Sequence, residues 1–459
     1  MTNVLAATAL CLAACGRIDF PARIDGGDGP APSTGLADLV QQSVSFTAPG
    51  STATAAFFGS QRAGDTNVVV VGWTGSPSDL ASVQDSAGNT YEVAAAPAGS
   101  GPEAQAIYYA TDIAAAAPGT NTVTVSFNAV PTTMPDVRML EYTGLAAVAS
   151  VDIAQTGTGD DATDPTVSVA TSAPDLIVAA VTSSAGCSGV GGGYRVRLFD
   201  DHANTAQDLD AATPATYSAG CQSAATQAWV AQAVAFRTDA SAQRSPYTIR
   251  QTGEDESGSG VARIYGDQLA GDTMFVMIAW SEASSSVASV TDTAGNAYTP
   301  IAGFPATYSG MTMVTAYYAR DIAAEPATAN ATITATFTPP LATGVYGGVY
   351  ALELAGVDHS APLDDDIYQV CNGTTSCASG MLDTHFGPEL LVTPEMTSAS
   401  PDVHLPGPGY GLGFFNSAST GSSIGTVFQF ATEPGPGSFE TSYRQTTGSD
   451  WLQSLFAFH

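Results

Sequence analysis

The chain has 459 residues, of which 43 are Asp or Glu and 12 are Arg, with no Lys, giving a formal charge of −31. Such a surface repels phosphate backbones and anionic headgroups, which argues against nucleic acid and a charged lipid surface and leaves divalent cations, cationic proteins and neutral glycans as partners. At about 100–200 residues per domain, the length holds two to four domains.

The N-terminus reads MTNVLAATALCLAACGR. Its apolar stretch, Val4 to Ala14, is too short to span a bilayer. Small residues before a cleavage point mark an export signal. Leu12-Ala13-Ala14-Cys15 resembles the lipobox of bacterial lipoproteins, although no basic residue precedes the apolar stretch. That resemblance implies lipidation at Cys15, and Gly16 implies the outer membrane as destination. Residues 1–14 are thus expected to be a lipoprotein signal peptide. Residues 15–40 are expected to be a flexible linker, on the strength of DGGDGPAPSTG at Asp25 to Gly35. The mature chain would touch the membrane only through its lipid.

Beyond residue 40 the chain reads as all-β. NVVVVGW (67–73), AIYYAT (106–111), NTVTVSF (121–127), DLIVAAVT (175–182) and AWVAQAVAF (228–236) are short and rich in β-branched and aromatic residues, with Gly, Pro, Asn and Asp between them. NVVVVGW is apolar throughout, the pattern of a strand covered on both faces. NTVTVSF alternates, the pattern of a strand with one face on a core. DLASVQD (79–85) and DIAAAA (112–117) are the only weak helical candidates. About nine or ten such runs fall in each 200 residues, the spacing of a sandwich or barrel.

The chain says most of this twice. SVQDSAGNTYEV at Ser82 returns as SVTDTAGNAYTP at Ser289, 207 residues on. AGDT at Ala63 returns at Ala270, YYATDIAA as YYARDIAA, Glu141 of EYTG as Glu353 of ELAG, and PDLIVAA as PELLVTP. Trp73 and Trp229 return as Trp280 and Trp451. Two tandem antiparallel β-sandwich domains of jelly-roll-like type are therefore expected, 41–240 and 241–459, joined near Thr238 to Tyr247. The quoted pair of motifs reads as strand, tight turn, strand, with Gly88-Asn89 and Gly295-Asn296 in hairpin turns and Asp85 and Asp292 accepting backbone N–H bonds. The set resembles tandem β-sandwich modules of secreted bacterial and phage-associated surface proteins, over most of 42–238 and 247–459. What that resemblance implies is a surface or interaction module, with no catalytic residues to carry over.

Four cysteines remain after the signal, and an even set in an exported chain favours disulfides. The local pairings Cys187–Cys221 and Cys371–Cys377 are expected. Other chemistry is thin. Ser423 fits G-x-S-x-G but sits among β runs rather than on a strand-to-helix turn. His202, His359, His385, His404 and His459 show no paired spacing. Asp160, Asp161 and Asp164 crowd one loop and Asp364, Asp365 and Asp366 another, with Asp200 and Asp201 a third group. These are candidates for a structural calcium, the one cofactor considered. Glu141 and Glu353 are the carboxylates to weigh for a glycosidase. Trp73, Trp280, Trp229 and Trp451 are the candidate sugar platforms, against a core role. Tyr108-Tyr109 and Tyr317-Tyr318 must each point to opposite faces, one of them toward a partner or a neighbouring sheet. The expectation is a non-catalytic, lipid-anchored cell-surface protein for adhesion or glycan binding. A carbohydrate-active hydrolase and a structural spacer are the alternatives.

Overall fold

The computed structural model describes residues 36–459 except 134, 163, 200–202, 224, 243–244, 256–258, 309–311, 327–330, 399–404, 408 and 417–424. Cys15, Asp200, Asp201, His202, His404 and Ser423 lie outside the described residues. The described chain is all-β, as its sequence leads one to expect.

The first eight strands are β1 (Asp38–Phe46), β2 (Thr52–Phe57), β3 (Thr66–Thr74), β4 (Leu80–Asp85), β5 (Glu92–Ser100), β6 (Glu103–Ala110), β7 (Asn121–Phe127) and β8 (Asp136–Thr143). They form two antiparallel sheets ordered β1-β8-β3-β6-β5 and β2-β7-β4. That is jelly-roll order, with the fifth strand moved to the edge beside the sixth. Seven more follow: β9 (Val151–Ala162), β10 (Thr166–Ala170), β11 (Asp175–Ser183), β12 (Arg195–Phe199), β13 (Thr205–Ala211), β14 (Thr216–Gly220) and β15 (Gln227–Arg237). Their sheets, β12-β13-β11-β15-β9 and β10-β14, repeat the same plan without its fourth strand.

The first repeat therefore stacks four sheets, two sandwiches back to back. β3 explains how. Val69, Val71 and Trp73 face the small outer sheet, while Val68 and Val70 face Leu176, Val178, Val234 and Phe236 of the second sandwich. This is why NVVVVGW carries no polar alternation. β11 does the same from the other side: Ile177, Ala179 and Val181 meet Val167, Val169 and the Cys187–Cys221 disulfide. β7 faces one core only and alternates strictly, as NTVTVSF requires. Among the described residues, fifteen strands rather than nine or ten fill the first repeat. Strands such as TAQDLDA of β13 carry little of the β-branched and aromatic content that marks a strand in sequence.

The second repeat follows the first: β16 (Thr248–Asp255), β17 (Val261–Ile264), β18 (Thr273–Trp280), β19 (Ser286–Asp292), β20 (Thr299–Pro300), β21 (Ala306–Tyr308), β22 (Thr312–Ala319), β23 (Thr332–Thr338) and β24 (Gly347–Ala355). Then come β25 (Leu363–Ala378), β26 (Leu382–Asp383), β27 (Glu389–Thr397), β28 (Leu405–Pro406), β29 (Gly411–Asn416), β30 (Gly425–Glu433), β31 (Ser438–Phe439) and β32 (Ser442–Phe458). Its central sheets run β16-β24-β18-β22-β20 and β25-β32-β27-β30-β29. Here β16 also pairs with β17, so the outer sheet β17-β23-β19 is continuous with the central one.

The connection between repeats runs from Arg237 to Thr248. Across it the repeats meet reciprocally. β1 lies against β29, and its equivalent β16 lies against β12, the equivalent of β29. Val190 N–H donates to the Tyr265 carbonyl (2.8 Å), and the Arg197 guanidinium to the Ile249 carbonyl (2.5 Å). Like elements touching like elements is the pattern of a two-fold contact.

Two helical expectations fail. DLASVQD is β4, and DIAAAA is a loop whose Ala116 bridges Gln61. Both lie where cross-strand partners outweigh the helix propensity of Ala and Leu. Both expected disulfides are present. Replacing Cys187 and Cys221 by Ser, which opens a 34-residue separation, is expected to lower stability by about 2–4 kcal/mol in urea unfolding. An unchanged midpoint would mean that packing alone holds β10-β14 in place.

Candidate functional site

The repeated motifs converge on one corner of each repeat. Gly88 has φ +81° and Gly295 +79°, as the turn requires. The turn does not close a hairpin, however: β4 pairs with β7 and β5 with β6, so it carries the chain from one sheet to the other. Asp85 accepts the Asn89 backbone N–H (2.9 Å), the Asn89 amide (2.8 Å), the Tyr91 hydroxyl (3.2 Å) and the Asn121 amide (3.0 Å). Asn89 in turn accepts the Ala114 N–H of the DIAA loop (2.8 Å). Asp292, Asn296, Tyr298 and Ala323 repeat this arrangement. The motif recurs because the corner recurs.

Glu141 sits at the inner end of the same network, fully buried. It accepts the Gln41 amide (2.6 Å), the Gln61 amide (3.3 Å) and the Arg62 N–H (3.3 Å). Burial, then the neighbouring Asp65, pushes its pKa up to about 8. Burial likewise raises Asp65. Glu353 matches it: Gln251 and the Leu269 N–H (2.8 Å) bind it, and burial beside Asp272 pushes it up to about 8. In each pair burial and the neighbouring Asp carboxyl together raise the Glu.

The tryptophans are core residues. Trp73, Trp280 and Trp451 are at most 2% exposed and Trp229 is 8%. Trp73 donates its ring N–H to the Ser76 carbonyl, Trp280 to the Glu282 and Ser285 carbonyls, and Trp451 to the Thr374 carbonyl. Trp229 lies over Gly157 and Gly159. Rings enclosed in this way offer no face to a sugar, so the expected platform is corrected: a repeated Trp here is a repeated packing position. Tyr108 and Tyr317 pack in the outer cores, and Tyr109 and Tyr318 in the cores between central sheets.

Among the described residues, the acidic clusters do not gather into a cage. Asp160 and Asp164 are exposed, and the side chain of Asp161 is not among those described. The Asp364 side chain is covered and accepts the His385 N–H (2.6 Å), while Asp365 accepts the Asp366 N–H (2.9 Å). Asp366 is pushed up to about 6 by burial and by Asp365. Among the described residues, no three His, Cys, Asp or Glu side chains are grouped to hold a metal ion. His359 faces Asp321 (3.2 Å) on the surface, and His459 stacks on Phe386 (4.0 Å between centroids).

The site that sequence reasoning missed is a cavity of about 580 Å³ between the repeats. Its apolar lining includes Leu39 and Val40 of β1, Ile249 of β16, Leu390 of β27 and Phe430 of β30. Arg62, Thr143, Asp38, Thr432 and Glu433 supply its polar groups. Burial raises Glu433, against the pull of Arg62.

The cavity exists because the copies differ. GGGYRVRLF (191–199) and GPGYGLGFF (407–415) are equivalent segments. Arg195 pairs with Asp208 across β12 and β13, and at the same register Gly411 pairs with Phe430 across β29 and β30. In the first copy Arg195 and Arg197 both bind Asp208 (2.5 and 2.7 Å), and all three are buried. In the second copy Gly411, Gly413 and Phe430 hold the equivalent positions, and Gly411 and Phe430 line the cavity. Gly411 is required there, since a Cβ would lie 1.9 Å from the Val40 carbonyl oxygen. Conversely, Arg62 stands where the other copy has Leu269, and Glu433 where it has Ala211. The signal was legible only as a mismatch between repeats.

No family model, no curated protein and no solved structure matches this chain.

Proposed function

We propose that this is an exported, lipid-anchored, non-catalytic protein of the outer membrane or cell surface, acting in adhesion or glycan binding through its repeated β-sandwich modules. The observation that carries the reading is the inter-repeat cavity, an apolar floor ringed by hydroxyl, carboxyl and guanidinium groups, which suits a sugar's mixed surface. The two disulfides and the lipobox-like LAAC support export. Glu141 and Glu353 support a non-catalytic role, since both carboxyl groups are consumed in enclosed networks.

Thermal melts of the full chain carrying Cys15→Ser, against polysaccharides, Ca²⁺ and EDTA, test this. A glycan at about 100 times its dissociation constant adds roughly 2.7 kcal/mol, a rise of several degrees. No shift with any glycan would overturn the reading in favour of a spacer. Polysaccharide turnover that is lost in Glu141→Gln or Glu353→Gln would replace it with a hydrolase.

A further inference from the structure

The geometry points to an occupant for the inter-repeat cavity: the end of a saccharide bearing a single carboxylate, of the uronic-acid type. This rests on the glycan-binding reading and names its ligand class.

Three features select that chemistry. The first is Arg62. Among the described residues it is the one cationic side chain lining the cavity, and its guanidinium makes no hydrogen bond or ion pair there, whereas Arg138, Arg195, Arg197, Arg237 and Arg250 are each paired with a carboxylate. A guanidinium is a planar fork that matches a carboxylate in two parallel hydrogen bonds. The second is the floor. Phe430, Leu39 and Ile249 present apolar surface of the kind that takes the C–H face of a pyranose ring. Thr143, Thr432 and Glu433 stand at the sides, able to exchange hydrogen bonds with ring hydroxyls. The third is size: about 580 Å³ suits roughly one or two rings.

The net charge of −31 sharpens the choice. A polyanion or a phosphate dianion meets repulsion from the whole protein, while one carboxylate needs only the one guanidinium. The asymmetry between copies points the same way. The related space is filled by Arg195 and Arg197 around Asp208, and it lacks both Arg62 and Glu433. One chain therefore presents one such site.

The test is titration calorimetry of the full chain carrying Cys15→Ser with a disaccharide of one galactose and one terminal galacturonic acid, its all-galactose counterpart, and benzoate as a sugar-free carboxylate. Arg62→Gln keeps the backbone N–H that Glu141 uses and removes the fork; Thr432→Trp fills the mouth; Arg320→Gln, an exposed arginine that does not line the cavity, is the control. The uronate is expected to bind at least tenfold more tightly than the neutral sugar. Arg62→Gln is expected to weaken it about ten- to a hundredfold, Thr432→Trp to abolish it and Arg320→Gln to leave it unchanged. Binding of neutral glycans that survives both cavity variants would overturn this proposal while keeping the glycan reading. Benzoate binding without uronate binding would overturn the sugar and keep the carboxylate site. No binding of the uronate at all would overturn the proposal outright.

Discussion

Arg138→Ala is expected to cost about 3–5 kcal/mol in urea unfolding, the largest loss of any single replacement considered for the first repeat. Arg138 is wholly buried between the two central sheets. It holds Asp136 (2.7 Å), the carbonyls of Val181 (3.1 Å) and Thr205 (2.6 Å), the Gln105 amide oxygen (3.3 Å) and the Thr182 hydroxyl (2.6 Å). Truncation leaves Asp136 buried with only the Asn204 amide (3.1 Å) against its other oxygen. Gly72 is part of the same site, because a Cβ there would lie 2.4 Å from Asp136 Oδ2 and 2.9 Å from Arg138 Nη2. Gly72→Ala is therefore expected to destabilise by about 1–3 kcal/mol.

The second repeat supplies the control. Its equivalent residues, by register, are Ala279, Val314, Gly348, Tyr350 and Met396. They form an apolar and aromatic contact in which Tyr350 packs near Phe428 (6.2 Å). Transplanting that set into the first repeat, as Gly72→Ala, Gln105→Val, Asp136→Gly, Arg138→Tyr and Thr182→Met together, should recover stability that Arg138→Ala loses, since a whole buried polar network can be exchanged for packing although half of one cannot. A fivefold variant no more stable than Arg138→Ala alone would show that the two interfaces are not interchangeable.

The second large effect is on pH. Burial holds Glu141, Glu353 and Glu389 at about 8 and Asp175 at about 6, and it holds Glu395 well above its usual range. A carboxyl whose folded pKa is raised binds its proton more tightly in the folded chain than in the unfolded one. Its stabilisation is complete below the unfolded value, near 4.5, and is lost as pH climbs to about 8. Each such group contributes up to about 1.4 kcal/mol per pH unit within that window. The opposite set is smaller. Asp358 is drawn down to about 2 by the Ser360 hydroxyl and the Ala361 N–H, and Asp208 is lowered by Arg195 and Arg197; their contribution fades only as pH falls below about 4. The melting temperature is therefore expected to peak near pH 4–5 and to fall by several degrees by pH 8. In the Glu141→Gln, Glu353→Gln double variant the fall should be shallower, which separates buried carboxyls from general repulsion among 43 acidic residues. A melting temperature that rises from pH 5 to pH 8 would contradict these assignments.

How much of this was legible in the sequence depended on which physical signal each part carries. Burial on two faces writes an unbroken apolar run, so β3 and β11 could be read directly, as could the alternation of β7. Turn chemistry at Asp85, Gly88 and Asn89 was equally plain, but a tight turn looks the same whether its strands pair or part to different sheets. The four-layer stack stayed hidden because its outer strands are short and polar. The tryptophans could be read two ways, because repetition marks packing and ligand contact alike, and burial separates the two. The cavity was least legible of all. It lies where Gly411 and Phe430 replace the Arg195–Asp208 pair of the first copy, and its polar groups, Arg62 and Glu433, lie far apart in the chain.

The central claim is that what the copies share builds their corners, and what they do not share binds the ligand. Hydrogen–deuterium exchange of the full chain carrying Cys15→Ser, with and without a saturating disaccharide of one galactose and one terminal galacturonic acid, tests it most directly. The account predicts added protection in peptides covering Arg62, Tyr247 and Phe430, and none in those covering Asp85 or Asp292. Protection confined to the repeated corners, or none anywhere, would contradict it.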